Sequence, residues 1–174
     1  GLMGYDQDPV FSPDGNKIVW RSMETPGYES DKDRIMIYDF TTKKTIDYST
    51  NFDQNAGNFK WSKDSKQLYF ISGTKGTEQI FILDIAKNRI SQLTNGDHDY
   101  QSIVLSGKNL IGLRMSMSLP TEIFSVKPDG TETQLSFANR EILSGIKTAK
   151  VEGRWITTTD NKKMFTWVIY PPDF

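Results

Sequence analysis

Apolar residues in this chain fall in short runs separated by clusters of Gly, Pro, Asn, Asp and Ser, a pattern that predicts strands and tight turns rather than amphipathic helices. The runs Lys17 to Arg21, Ile35 to Phe40, Gln67 to Ser72, Gln79 to Ile85, Leu110 to Arg114 and Glu122 to Val126 are rich in Ile, Val, Tyr and Phe. Several are apolar at successive positions, Ile35-Met36-Ile37-Tyr38 among them, as expected of a strand covered on both faces. Trp20, Trp61, Tyr69, Phe70, Phe81 and Phe124 recur at matching strand positions and are expected in the core.

The pattern repeats. Phe11-Ser12-Pro13-Asp14-Gly15-Asn16-Lys17-Ile18-Val19-Trp20 aligns with Trp61-Ser62-Lys63-Asp64-Ser65-Lys66-Gln67-Leu68-Tyr69-Phe70 at an offset of 50, and a fainter copy starts at Leu105. Ile35-Met36-Ile37-Tyr38-Asp39 returns as Ile80-Phe81-Ile82-Leu83-Asp84 after 45 residues and as Ile123-Phe124-Ser125-Val126-Lys127 after 43 more. Units of this length with four strand-like runs read as β-propeller blades. The fold class is therefore all-β: about three four-stranded antiparallel units, roughly 4–51, 52–100 and 101–136, forming an incomplete ring within 1–137. In Ser12-Pro13-Asp14-Gly15, proline presets φ, aspartate binds its own backbone and glycine takes the left-handed position, and Lys127-Pro128-Asp129-Gly130 repeats that chemistry.

Residues 138–174 break the repeat. Ala138 to Ser144 has the makings of one or two helical turns, and Ala149 to Asp160 with Lys163 to Tyr170 reads as a hairpin, ended by Pro171-Pro172. This tail is expected to be a connector. Three blades do not close a ring, which typically takes ~4 to 8. An isolated set of three is expected to self-associate through its open faces, or to fold the hairpin 149–170 over one of them.

Composition mostly excludes. The 174 residues carry 21 basic and 22 acidic side chains, a net charge of −1 without blocks of one sign, so neither nucleic acid nor an anionic membrane is an expected partner. No run approaches the ~20 apolar residues of a membrane-spanning helix. No signal-like segment opens the chain, and Gly1 in place of an initiator Met suggests a trimmed sequence. The absence of cysteine removes disulfide scaffolds, thiolate metal sites and thiol nucleophiles but leaves the compartment open.

Chemistry-bearing motifs are few. No two glycines stand four apart, so the Gly-x-Ser-x-Gly elbow of a serine hydrolase is absent, and no catalytic residue is assigned. The only histidine, His98 in Asn95-Gly96-Asp97-His98-Asp99-Tyr100, is expected in the loop between the second and third units, solvated or lining the propeller mouth. One histidine without cysteine is a poor start for a metal centre, and neither metal nor cofactor is expected. Asp6 and Asp8 read as strand-flanking polar residues. Between its second and third strands the first unit carries an insertion, Ser22 to Asp33, where the second spends only Gly73 to Thr77. Long loops on rigid scaffolds often carry recognition. Glu24, Tyr28 and Glu29 are the candidates for holding a positively charged group such as a peptide's amino end, the plainer reading being a tolerated solvent loop, and His98 is a further candidate for contacting substrate.

Units of the form Phe-Ser-Pro-Asp-Gly-x-x-Ile followed by Ile-x-Ile-Tyr-Asp resemble the propeller repeats of the prolyl oligopeptidase family and of TolB-type propellers. Ser116-Met117-Ser118-Leu119-Pro120-Thr121-Glu122-Ile123 resembles a segment in the last blades of dipeptidyl and acylaminoacyl peptidases. Thr159 to Lys162 and Met164 to Phe174 resemble the hairpin by which that family passes into its α/β-hydrolase domain. The resemblance, closest to the bacterial dipeptidyl-peptidase branch, implies a parent serine peptidase whose Ser, Asp and His lie beyond Phe174, a propeller that caps the hydrolase site and gates peptide substrates, and a periplasmic or secreted location, with the cytoplasm still possible. Peptide substrates and the parent's own hydrolase domain are the implied partners. A TolB-type scaffold for protein partners is the alternative.

Overall fold

The computed structural model describes residues 4–174. Twelve strands form three four-stranded antiparallel sheets, each in simple meander order. The first holds β1 (Asp6–Phe11), β2 (Lys17–Ser22), β3 (Arg34–Asp39) and β4 (Lys44–Asp47); the second β5 (Gly57–Trp61), β6 (Gln67–Thr74), β7 (Thr77–Asp84) and β8 (Arg89–Gln92); the third β9 (Asp99–Ser106), β10 (Asn109–Ser116), β11 (Leu119–Val126) and β12 (Glu132–Gln134). These are propeller blades. Their first strands lie side by side, β1 by β5 and β5 by β9, which makes them the inner strands, while β4, β8 and β12 form the outer rim. The Trp61 indole N–H donates to the Val10 carbonyl at 3.1 Å, and the Ile103 amide to Asn58 Oδ1 at 3.1 Å, so hydrogen bonds stitch the inner strands together.

The repeat governs the turns as well. Between first and second strands, Gly15, Ser65 and Gly107 all take positive φ (71°, 57° and 64°). Ser12 and Ser62 each donate to an aspartate two residues on, Asp14 and Asp64, at 2.6 Å. That hydroxyl and the Asn16 amide hold the Asp14 carboxyl down to about 2.

Two cores separate the three sheets. Val19, Ile35 and Ile37 of the first sheet pack against Phe59, Trp61, Leu68, Phe70, Phe81 and Leu83 of the second. The opposite face of the second sheet sends Tyr69, Ile71 and Ile80 against Tyr100, Ile103, Leu110, Phe124 and Val126 of the third. Alternate residues of β6 and β7 thus enter different cores, which is why Leu68 to Ile71 and Ile80 to Leu83 are apolar at successive positions. Trp20 departs from the expected core set: it points to the open face of the first sheet, half-buried, with its indole N–H donated to Asp6 Oδ1 at 2.9 Å.

The expected helix forms as α1 (Arg140–Ser144), and the hairpin as β13 (Val151–Thr157) and β14 (Lys163–Ile169). The hairpin does not cover a sheet face. Trp155 and Ile169 remain 56% and 58% exposed, and the hydrogen bonds from the hairpin and the residues leading into it to the sheets are made at the β6–β7 and β10–β11 turns. Phe165 and Trp167 rest on Gly76, with the Trp167 indole N–H 3.3 Å from the Gly76 carbonyl, and Ser118 Oγ–H reaches the Ala149 carbonyl at 3.4 Å. Gly76 suits that place twice over: its φ is +72°, and a β-carbon there would stand 2.9 Å from both rings.

Candidate functional site: the loop end of the sheets

The turns β2–β3, β6–β7 and β10–β11 emerge at the same end of the three sheets, and the first strands begin there. Each first strand is kinked near that end. Asp8 and Asn58 sit at left-handed φ (52° and 58°) where the pairing of β1 and β5 shifts register, and β9 shifts between Tyr100 and Ser102. Such bulges turn side chains out of the regular alternation. Asp6 and Asp8 therefore lie within β1 rather than flanking a strand.

The kinked ends of β5 and β9 border a cavity of about 360 Å³ whose polar walls include Arg21, Asp33, Asn55, Asn58, Glu78 and Asp99. Arg21 organises one side. Its Nη1–H donates to Asp33 Oδ2 at 3.0 Å, its Nε–H to Asp8 Oδ2 at 2.8 Å and its Nη2–H to Gln7 Oε1 at 2.9 Å. Across the cavity the Glu78 amide donates to Asp99 Oδ1 at 2.7 Å, so two carboxylates share that wall. Burial, then the nearby Asp99 charge, pushes the Glu78 carboxyl above its usual value. Three carboxylates and one guanidinium leave the wall net acidic, suited to a cationic or amino-terminal group. A second cavity of about 190 Å³ lies under the hairpin, between Gly76, Asp97, Asp99, Met117, Ser118, Val151 and Trp167.

The residues singled out in the sequence are not brought together. Glu24 is exposed on the insertion, its carboxylate 3.5 Å from Arg34 Nη1, while Asp31 accepts the Glu24 and Thr25 amides at 3.0 and 2.8 Å and ties the loop base. Tyr28 and Glu29 are exposed at the loop's tip, outside the walls of the 360 Å³ cavity. The insertion itself is longer against its counterpart than expected, because β6 and β7 run on to leave only Lys75-Gly76 between them.

His98 is neither solvated nor at the mouth. It is 4% exposed, packed edge-on against Tyr100, with Nε2 3.3 Å from Glu132 Oε2. The same oxygen accepts from the Tyr100 hydroxyl at 2.6 Å and Arg114 Nη1–H at 2.8 Å. Burial pulls the imidazole below its ordinary value despite the facing Glu132, and burial drives the Tyr100 hydroxyl upward. The reason is the large Tyr100 ring, which closes the space beneath the 94–98 loop. The cavity residues, by contrast, had a signal. Asp33 and Glu78 stand 45 apart, the offset of Ile35 and Ile80, so aligning charges with the repeat places both at one blade position.

No protein-family profile matches the chain. Dipeptidyl-peptidase 5 of Porphyromonas gingivalis is 37% identical over 175 residues, a match covering all of this chain and 26% of that protein. The chain is a β-propeller segment similar along its whole length to part of that dipeptidyl-peptidase. It spans about a quarter of the length of the curated relatives it matches. Among solved structures, an acylaminoacyl peptidase of Pyrococcus horikoshii covers 98% of this chain at TM-score 0.77 and 22% identity, over 25% of its own length. TolB of Acinetobacter baumannii covers 78% at TM-score 0.59 and 22% identity, over 33% of its length. At those identities the likeness speaks to fold, and the peptidase fold accounts for nearly all of the chain where TolB leaves a fifth of it unmatched.

Proposed function

We propose that these residues are the non-catalytic propeller portion of a peptidase of the dipeptidyl or acylaminoacyl type, capping the hydrolase site and gating its peptide substrates, with residues 138–174 as the connector to the hydrolase domain. The observation that carries the reading is the crowding of three features at one end of the sheets: the acidic cavity, the insertion 22–33 and the hairpin. In the parent enzyme the nucleophile and oxyanion hole would come from the hydrolase domain, and the cavity wall would draw the free amino end of a peptide towards Glu78, Asp99 and Asp33. Glu24, Tyr28, Glu29 and His98 are secondary by this geometry, the first three because they stand outside the cavity and His98 because it is buried.

The 174-residue chain, assayed with aminoacyl and dipeptidyl chromogenic substrates, is expected to read as background. Turnover that disappears in His98→Ala would overturn the non-catalytic reading. In the full-length parent, Glu29→Gln is expected to change KM for free-amine substrates less than Glu78→Gln does; the reverse order would return the insertion to the centre of recognition.

A further inference from the structure

Each sheet ends with the same small lock. The amide that opens the apolar run of the third strand donates to a hydroxyl just past the fourth strand: Ile35 to Ser49 Oγ at 3.1 Å, Ile80 to Thr94 Oγ1 at 2.9 Å, Ile123 to Ser136 Oγ at 2.8 Å. The hydroxyls lie 45 and 42 residues apart, so the lock belongs to the repeat. What differs is the side chain one residue before that amide, which is Arg34, Gln79 or Glu122 in turn.

Gln79 and Glu122 are both buried, 0% and 2% exposed, and both accept from the lock hydroxyl, Thr94 at 2.8 Å and Ser136 at short range. Gln79 then donates its Nε2 hydrogens to the Gly96 and His98 carbonyls at 3.1 and 2.7 Å, holding the strap that enters the third sheet. Glu122 does the opposite. Its oxygens accept from the Ala138 amide at 3.2 Å, the Asn139 amide at 3.1 Å and Asn139 Nδ2 at 3.2 Å. An acceptor-only carboxylate has replaced an amide, and the strap has turned its N–H groups inward to meet it. Asn139 is the N-terminal cap of α1 yet makes no side-chain cap bond, since its side chain points to Glu122 instead. The Ser136 hydroxyl first, and the backbone amides after it, keep the Glu122 carboxyl below its usual value.

We propose that Glu122 is a positioning residue that fixes the path by which the chain leaves the third sheet, so that one buried carboxylate sets the direction of α1 and the hairpin relative to the propeller. This goes beyond the reading of the loop end, because it concerns the connector's geometry and needs no substrate. A glutamine at 122 keeps the shape but offers one acceptor where four donors converge, and turns an NH₂ group towards N–H groups. Serine 136 is replaceable by threonine, as Thr94 demonstrates at the equivalent position.

The test uses the cysteine-free background, which allows spin labels at Lys108→Cys and Lys162→Cys without competing thiols. The distance distribution between them is expected to be narrow in the parent chain and in Ser136→Thr, and at least doubled in width in Glu122→Gln and Ser136→Ala. Amide exchange at Ala138 and Asn139 should speed about tenfold or more in Glu122→Gln, while Ile103 and Phe124 keep their protection. An unchanged distribution and exchange in Glu122→Gln overturns the proposal. So does a variant that loses protection throughout the third sheet, since Glu122 would then hold the sheet rather than its exit. If Glu122→Gln fails to fold, Ser136→Ala decides: a distribution as narrow as the parent's contradicts the proposal.

Discussion

The second and third sheets share one strand order and one set of turns, and differ in what covers them. The second is packed on both faces, so Tyr69, Phe70, Ile71, Ile80 and Phe81 are all buried although they point alternately to opposite sides. The third has a neighbour on one face only. Ile103, Leu110, Phe124 and Val126 enter the core, while Val104, Leu113 and Ile123 on the other side stay 56%, 40% and 40% exposed. The first sheet mirrors this, with Phe11 and Phe40 stacked at 6.0 Å on its open face. A blade's sequence is thus written for two neighbours whether or not both are present, and the energetic weight of an apolar side chain depends on which side it faces.

The largest expected effect tests that contrast. Phe70→Ala should cost roughly 3–5 kcal/mol by opening a cavity between the first two sheets. Leu113→Ala, on the open face, should cost under about 1 kcal/mol in the same urea titration. Leu113→Ser with Ile123→Ser should also lower any concentration-dependent association in sedimentation. Equal losses for Phe70→Ala and Leu113→Ala would mean that the third sheet's outer face is covered after all.

A smaller effect separates the sheets from the hairpin. Gly76→Ala strains a left-handed turn and drives a methyl group into Phe165 and Trp167, and should cost about 1–2 kcal/mol while freeing the hairpin. Trp167 fluorescence should shift towards that of an exposed indole. An unchanged spectrum would show that the contact with the β6–β7 turn holds nothing.

Much of this architecture was legible because the repeat made each feature appear more than once. Strand runs, the Ser-x-Asp turns and the split between sheets and hairpin all follow from periodicity and turn chemistry. His98 was misread for a physical reason: its neighbours Asn95, Gly96 and Asp97 are turn formers, and nothing local reveals that Tyr100 and Glu132, the latter 34 residues on, close over it. Trp20 erred the same way, since matching a strand position does not say whether a partner sheet covers that side. The cavity carboxylates were within reach once charges, and not only apolar residues, are aligned between units.

The gentlest effect is one of pH. Burial disfavours the His98 proton in the native fold despite the facing Glu132, so the unfolded chain binds that proton more readily, and this contribution to stability is complete above the ordinary value of 6.5 and falls as pH drops below it. His98→Gln should flatten that part of the profile, with Glu132 and Arg114 still paired at 2.8 Å. A profile that keeps its slope in the variant would assign it to other groups.

The central claim is that the loop end of these sheets meets the substrate's amino end in a parent peptidase, and its most direct measurement is a pair of KM values in the full-length enzyme. In Glu78→Gln/Asp99→Asn, KM for a free-amine dipeptidyl substrate should rise about three- to ten-fold, the range for losing one or two partly exposed carboxylate–ammonium pairs. KM for the amino-blocked analogue should hold within about two-fold. Equal changes for both substrates, or none for either, would contradict the account.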